Sequence, residues 1–338
     1  MLKPISYPKC LRTFLELYQN NNVLLNKSYS KFLRVRPFDV TLRDGLQGLT
    51  IDEQTNYTTE FKKQIYREII EKYNPRNIEI GSCVNTKILP IFKDTEDLFK
   101  GINDNNNKYI LVPNQEQLMN AVKFGATNFS FISSVSNSFQ LKNTKMTKQE
   151  NLNNLNNMIR FLDNYTSYKI DIENRGLIEN RGLIENRGLI ENRGLIEKFS
   201  NFNVKLYVSC INECPIEGKI PINNIVSELY NLSGKKFNKI CLSDTCGSLT
   251  NDVFDEIIGK LYEIGADINK FTLHLHVKPD REDEVEKIVH TAINYGIEEF
   301  DVSHLKTGGC SVTMNKNKLT PNLSYEQYYK FLTNYLLK

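Results

Sequence analysis

His274 and His276 flank a single leucine in the run FTLHLHV. On a strand, alternate residues share a face, so the two imidazoles point the same way while Leu275 points into the opposite layer. They are two of the chain's four histidines, and at one strand end they can hold a metal ion; a pair of hydrogen-bonded core histidines is the competing reading. A third ligand is offered by VTLRDGLQGL, Val40 to Leu49, where a run that reads as the end of a buried strand is followed at once by Arg43, Asp44 and Gly45. Asp44 adds a hard oxygen. Imidazole and carboxylate with open positions suit Mg²⁺ or Mn²⁺ as a Lewis acid, and ligand type alone leaves Zn²⁺ open. Gly45 lets the backbone turn, so that Arg43 and Asp44 can both reach one mouth.

Two further residues carry chemical meaning. Glu79 in NIEIGS has apolar neighbours, where an unpaired carboxylate would be costly, so it needs a cation or a polar network. Arg43 on the adjacent strand is the expected partner, in a catalytic or a purely structural ion pair. Cys310 follows Gly308 and Gly309, and a loop hinged on two glycines can deliver a thiol as acid or nucleophile.

Elements must bring these residues together. Apolar runs near 34–42, 77–84, 108–113, 128–135, 203–210, 238–245, 271–277 and 299–305 read as strands. Between them, helical periodicity marks 58–73, 115–125, 222–232 and 281–296. Eight such alternations predict an α/β fold, a (β/α)₈ barrel over residues 34–338, preceded by an N-terminal extension, 1–33. In that fold chemistry gathers at the C-terminal strand ends, where Arg43, Asp44 and the histidines are expected. ENRGLI repeats four times without a gap over 173–196, before the fifth strand. A six-residue step turns a helix by about 240°, so the Leu-Ile pairs form no stripe, and the glycines weaken helix further. The array reads as an expanded connection interrupting the barrel.

Composition narrows the partners. The chain has 338 residues, 40% of them hydrophobic, and a formal charge of +3 with no dense basic run, so no nucleic acid is implied. No stretch approaches the roughly 18 consecutive apolar residues of a membrane span, so no membrane partner is expected. Seven scattered cysteines do not form a disulfide framework, which suits a reducing compartment such as the cytoplasm. Residues 1–36 are basic with one acid, Glu16, so organelle targeting stays open beside a plain extension.

With these motifs together, the chain resembles 3-hydroxy-3-methylglutaryl-CoA lyases, within the metal-dependent barrel lyases, synthases and aldolases that share an Arg-Asp-Gly first-strand motif. RDGLQ (43–47) and CLSDTCG (241–247) carry the wider group; YVSCINECPIEGKI (207–220) and GGC (308–310) carry the lyase branch. The resemblance implies a divalent cation held by Asp44, His274, His276 and Asn322 of PNLSYE. It further implies Arg43 stabilising an enolate, Glu79 supporting it, Cys310 on the catalytic loop and an acyl-CoA substrate, and it admits a homodimer. Departures are Val277 after the second histidine, Lys306 at the loop's first glycine, and Ser311-Val312 after the cysteine. They motivate two alternatives: an aldolase or synthase for another hydroxy acid, and a barrel that binds metal or CoA without turnover.

Overall fold

The computed structural model describes residues 31–180, 202–309, 313–314 and 319–337. Eight parallel strands follow one another around a closed barrel: β1 (Arg36–Asp39), β2 (Asn77–Ser82), β3 (Asn107–Leu111), β4 (Asn128–Ser134), β5 (Asn203–Ser209), β6 (Lys239–Ser243), β7 (Phe271–His274) and β8 (Glu299–Val302). Parallel pairing requires crossovers. Helices supply them where periodicity predicts: Thr59–Lys72, Gln115–Lys123, Ile222–Ser233 and Glu282–Tyr295. Thr58 and Asn114 cap the first two through their side chains.

Alternation along each strand sorts side chains to the two sides of the barrel wall. On β5, Val204, Leu206 and Val208 join the apolar shell under the helices. Lys205 and Tyr207, between them, turn into the barrel. The shell is continuous and large, whereas Phe38, Val40 and Tyr109 form only a small separate apolar cluster. Polar and charged side chains fill much of the barrel interior, a departure from the branched aliphatic layers usual in such barrels.

Two expectations are corrected. Strand β1 ends at Asp39, so Val40 to Leu42 are not strand, and Arg43 and Asp44 lie beyond the strand end. Asp39 causes this: its carboxylate accepts the N–H and the hydroxyl of Thr41, 2.9 Å each, which pulls the chain out of the ladder. The carbonyl of Val40 then accepts both Arg43 N–H and Gly45 N–H, and Asp44 opens a one-turn helix, Asp44–Gln47. The second correction concerns the repeats. The helix Lys148–Asn180 runs through the first copy despite its glycine. One glycine costs about 1 kcal/mol in a helix, the other residues of the copy tolerate helix, and no proline intervenes to stop it. Residues 181–201, with the rest of the array, lie outside the described residues, as do residues 1–30.

Candidate active site

Asp44, His274 and His276 form a group whose ligand atoms all lie within 4.8 Å of one another, all buried. His274 ends β7 and His276 lies two residues past it, yet the ring centroids are 4.9 Å apart, so the alternation of a strand persists beyond its last ladder bond. His274 Nε2 is 3.8 Å from Asp44 Oδ2. Burial, with His274 beside it, pulls His276 down to about 4, which leaves a neutral imidazole with a lone pair to give. Burial would push the Asp44 carboxyl up, but Arg43 first and the two histidines after it hold it well below the usual carboxylate range.

Asn322 joins this group through the backbone. His276 and Asn322 form an antiparallel bridge, flanked by bonds from Val277 N–H to Pro321 O, 2.8 Å, and from Leu323 N–H to Leu275 O, 3.0 Å. Among the described residues, the buried carboxamide of Asn322 has no hydrogen-bond partner for its oxygen or its nitrogen, and Nδ1 of His276 has none either. Buried polar atoms rarely stay unpaired. Two imidazoles, a carboxylate and an orphaned carboxamide fit a divalent cation in ligand type and in unmet bonding capacity.

Arg43 is clamped. Its Nε donates to Glu79 Oε2 at 2.6 Å, its Nη1 donates to Asp44 Oδ1 at 2.5 Å, and its guanidinium lies 4.8 Å from the centroid of the Tyr207 ring. Tyr207 donates its hydroxyl to the same Glu79 oxygen, 3.1 Å. Burial opposes the charge of Arg43, but Glu79 and Asp44 outweigh it and raise its pKa further. Glu79 thus finds the partner its apolar neighbours demand, although Arg43 reaches it from a turn rather than from a strand.

The loop after β8 closes over Asp44. Gly309 N–H donates to Asp44 Oδ2 at 3.1 Å, and Thr307 donates its hydroxyl to the carbonyl of Gly45 at 2.5 Å. A Cβ on Gly308 would come within 2.6 Å of the Asn322 side chain, and one on Gly48 within 2.8 Å of Gly308 O, so the paired glycines serve close approach as well as turning. Cys310 itself lies outside the described residues. A cavity of about 720 Å³ is lined by Arg43, Asp44, Tyr207, His274 and His276.

Three participants escaped the residue-by-residue reading: Tyr207, Asp301 and Lys205. Asp301 Oδ2 is 3.0 Å from His274 Nδ1, and Asp301 Oδ1 is 2.5 Å from Lys205 Nζ. The signal was present, since EFDV and VKLYVS each put a charged residue between apolar ones, as NIEI does for Glu79.

A family model described as HMGL-like matches residues 34–303. The mitochondrial hydroxymethylglutaryl-CoA lyase of Arabidopsis thaliana is 25% identical over 292 residues, 85% of this chain and 52% of that protein. The cytoplasmic 3-hydroxy-3-methylglutaryl-CoA lyase of Homo sapiens is 24% identical across 82% of this chain and 63% of its own length. The chain thus spans about half the length of the first of these relatives and under two thirds of the second. Among solved structures, the HMG-CoA lyase of Bacillus subtilis aligns with a TM-score of 0.67 at 23% identity, covering 89% of this chain and 86% of that one. That of Brucella melitensis aligns with a TM-score of 0.67 at 21% identity, covering 89% and 90%. These two speak to the fold. With its model matched from the first barrel strand to the last, the chain belongs to the HMGL-like family.

Proposed function

We propose that the protein is a divalent-metal-dependent carbon–carbon lyase that cleaves 3-hydroxy-3-methylglutaryl-CoA to acetyl-CoA and acetoacetate. One observation carries the reading: the group Asp44, His274 and His276 shares a cavity with a guanidinium clamped by Glu79 and Tyr207. Asp44, His274, His276 and Asn322 are the proposed ligands of Mg²⁺ or Mn²⁺. When bound, such a cation lowers the cost of deprotonating the tertiary alcohol.

The reaction requires loss of the hydroxyl proton, cleavage of the adjacent C–C bond and delivery of its electron pair to the thioester as an enolate. Arg43, held by two carboxylates, has little freedom to reorient, and a preorganised cation of this kind stabilises developing oxyanion charge. Glu79 supports Arg43. Cys310 or His274 supplies or relays the proton that quenches the enolate carbon. The acyl-CoA substrate, a homodimer and the cytoplasm are part of the same proposal; the five cysteines among the described residues are free thiols, in keeping with a reducing compartment. No helix among the described residues is long and apolar enough to cross a membrane.

The test is direct. The protein is incubated with 3-hydroxy-3-methylglutaryl-CoA and Mg²⁺ or Mn²⁺, with and without chelator, and acetyl-CoA is followed. Release that chelator abolishes supports the reading; no release from a protein that binds Mn²⁺ would turn it toward a binding barrel, and chelator-resistant release would remove the metal.

A further inference from the structure

A column of hydrogen-bonded side chains runs through the barrel interior below the candidate metal group. Asn107 Nδ2 donates to Asn77 Oδ1, and Asn77 Nδ2 donates to Glu299 Oε2, 2.9 Å each. Lys205 Nζ donates to Glu299 Oε1 at 3.1 Å and to Asp301 Oδ1 at 2.5 Å, and lies 3.4 Å from the centroid of the Phe38 ring. Asp301 then meets His274 Nδ1 with its other oxygen, at 3.0 Å. Every member from Lys205 to His274 is buried.

We propose that Lys205 is a positioning residue for the metal group, acting through Asp301 on His274. The inference rests on the metal-site reading above. With Oδ1 pinned by the ammonium, the Asp301 carboxylate cannot swing away from the ring, and Oδ2 stays aimed at Nδ1. A carboxylate only accepts, so the ring proton belongs on Nδ1, and Nε2, the nitrogen facing Asp44, keeps its lone pair. Lys205 touches neither His274 nor Asp44 by any bond described here, and its role is to fix which nitrogen is offered and in which direction. Buried in the barrel with two carboxylates, it also has a structural role in neutralising them, so the test must separate the two.

The test uses the full chain and Mn²⁺ alone as probe. Lys205→Met combined with Glu299→Gln removes the ammonium together with one of its carboxylates, which keeps the buried charge balanced, and Glu299→Gln alone serves as control. The combined variant is expected to retain its fold by circular dichroism and to bind Mn²⁺ about 10–100-fold more weakly, the usual cost of a lost outer partner. Glu299→Gln alone should stay within about threefold of wild type, because Glu299 acts on the column below Asp301. In parallel, ¹⁵N spectra of the metal-free wild type should show the His274 proton on Nδ1, a signature that charge neutralisation alone would not set. A folded combined variant with wild-type Mn²⁺ affinity overturns the proposal, and so does a wild-type proton on Nε2. If the wild type binds no Mn²⁺, the metal-site reading fails, and the ¹⁵N spectra of wild type and combined variant still decide whether Lys205 sets the tautomer. If the combined variant does not fold, a wild-type proton on Nε2 still overturns the proposal.

Discussion

Asp39 and Asp301 lie on neighbouring strands, one residue apart in register, and face opposite sides of the barrel wall. Both are almost completely buried. Asp301 faces the interior, where burial would raise its pKa but Lys205 outweighs that and holds it below its ordinary value. Asp39 faces the apolar shell, where Thr41 is its hydrogen-bond partner, and burial there pushes it up to about 7. Equal burial thus accompanies shifts in opposite directions, and the partner decides. The same division holds for the molecule: the interior and mouth keep charges in pairs, and the shell supplies apolar packing. Interior substitutions should therefore disturb function more than stability, and shell substitutions the reverse.

The largest expected effect is at the mouth. Asp44→Ala or His276→Ala should weaken Mn²⁺ binding beyond the roughly 10–100-fold that a lost outer partner costs, with the barrel still folded. Calorimetric titration beside circular dichroism checks it; unchanged affinity in both variants would remove the site. Next, Cys310→Ser should leave Mn²⁺ affinity intact and lower turnover by about 10²–10⁴-fold, as for a lost acid–base group. A change smaller than about threefold, under ~1 kcal/mol in the transition state, would instead match a loop that does not serve catalysis.

The opposite side of the comparison is tested at Phe131, which is fully buried in the shell and meets Phe237 edge-on at 6.5 Å. Phe131→Ala should cost about 3–5 kcal/mol of stability, read by urea denaturation, while the folded fraction binds Mn²⁺ as the wild type does. A large loss of affinity per folded molecule would show that shell and site are not separable.

Asp39 sharpens the contrast through pH. Its pKa is raised on folding, so the folded state binds the proton more tightly, and its contribution is fully present below the ordinary carboxylate value. That contribution is lost as pH rises through about 7. Asp39→Asn abolishes this loss. The stability of the variant relative to wild type should therefore improve between pH 4 and pH 8, by at most about 4 kcal/mol. Denaturation at the two ends decides it: a pH-independent difference would mean that Asp39 ionises as freely when folded as when unfolded.

The same division explains what could be read in advance. A buried carboxylate flanked by isoleucines demands a cation, and two histidines around one leucine demand a shared face, so Glu79, His274 and His276 were legible from neighbours alone. Barrel closure was legible from eight alternations. For Lys205 and Asp301 the same local pattern marks each as an inward-facing charge, but not that they pair, because their bond joins residues 96 positions apart. The departure of Arg43 from the strand was hidden for a different reason: two hydrogen bonds from Thr41 to Asp39 outweigh the β-propensity of Val40 to Leu42. Asn322 reaches the site through pairing with residues 275–277, which no local pattern around PNLSYE announces.

The smallest effect belongs to the repeats. The helix Lys148–Asn180 is anchored near its start: Leu155, Met158 and Leu162 are buried in the shell, and Asn151 and Asn154 bond the carbonyls of Ile132 and Pro113. The chain returns to the barrel at Asn203, where β5 begins. Deleting residues 179–196 removes three whole copies, and because Glu follows Ile at both ends of the cut, Ile178 meets Glu197 as it met Glu179. None of these five anchoring residues is touched. Closure entropy changes only as the logarithm of loop length, about 0.6 kcal/mol per doubling, so the shorter connection should shift the melting temperature by no more than a few degrees. Turnover and Mn²⁺ affinity should stay at wild-type values, since Asp44, Arg43 and the histidines are held by other elements. Loss of soluble protein, or a melting temperature far below wild type, would mean that the repeats contribute packing to the barrel and that the shell extends further along this connection than its anchored start.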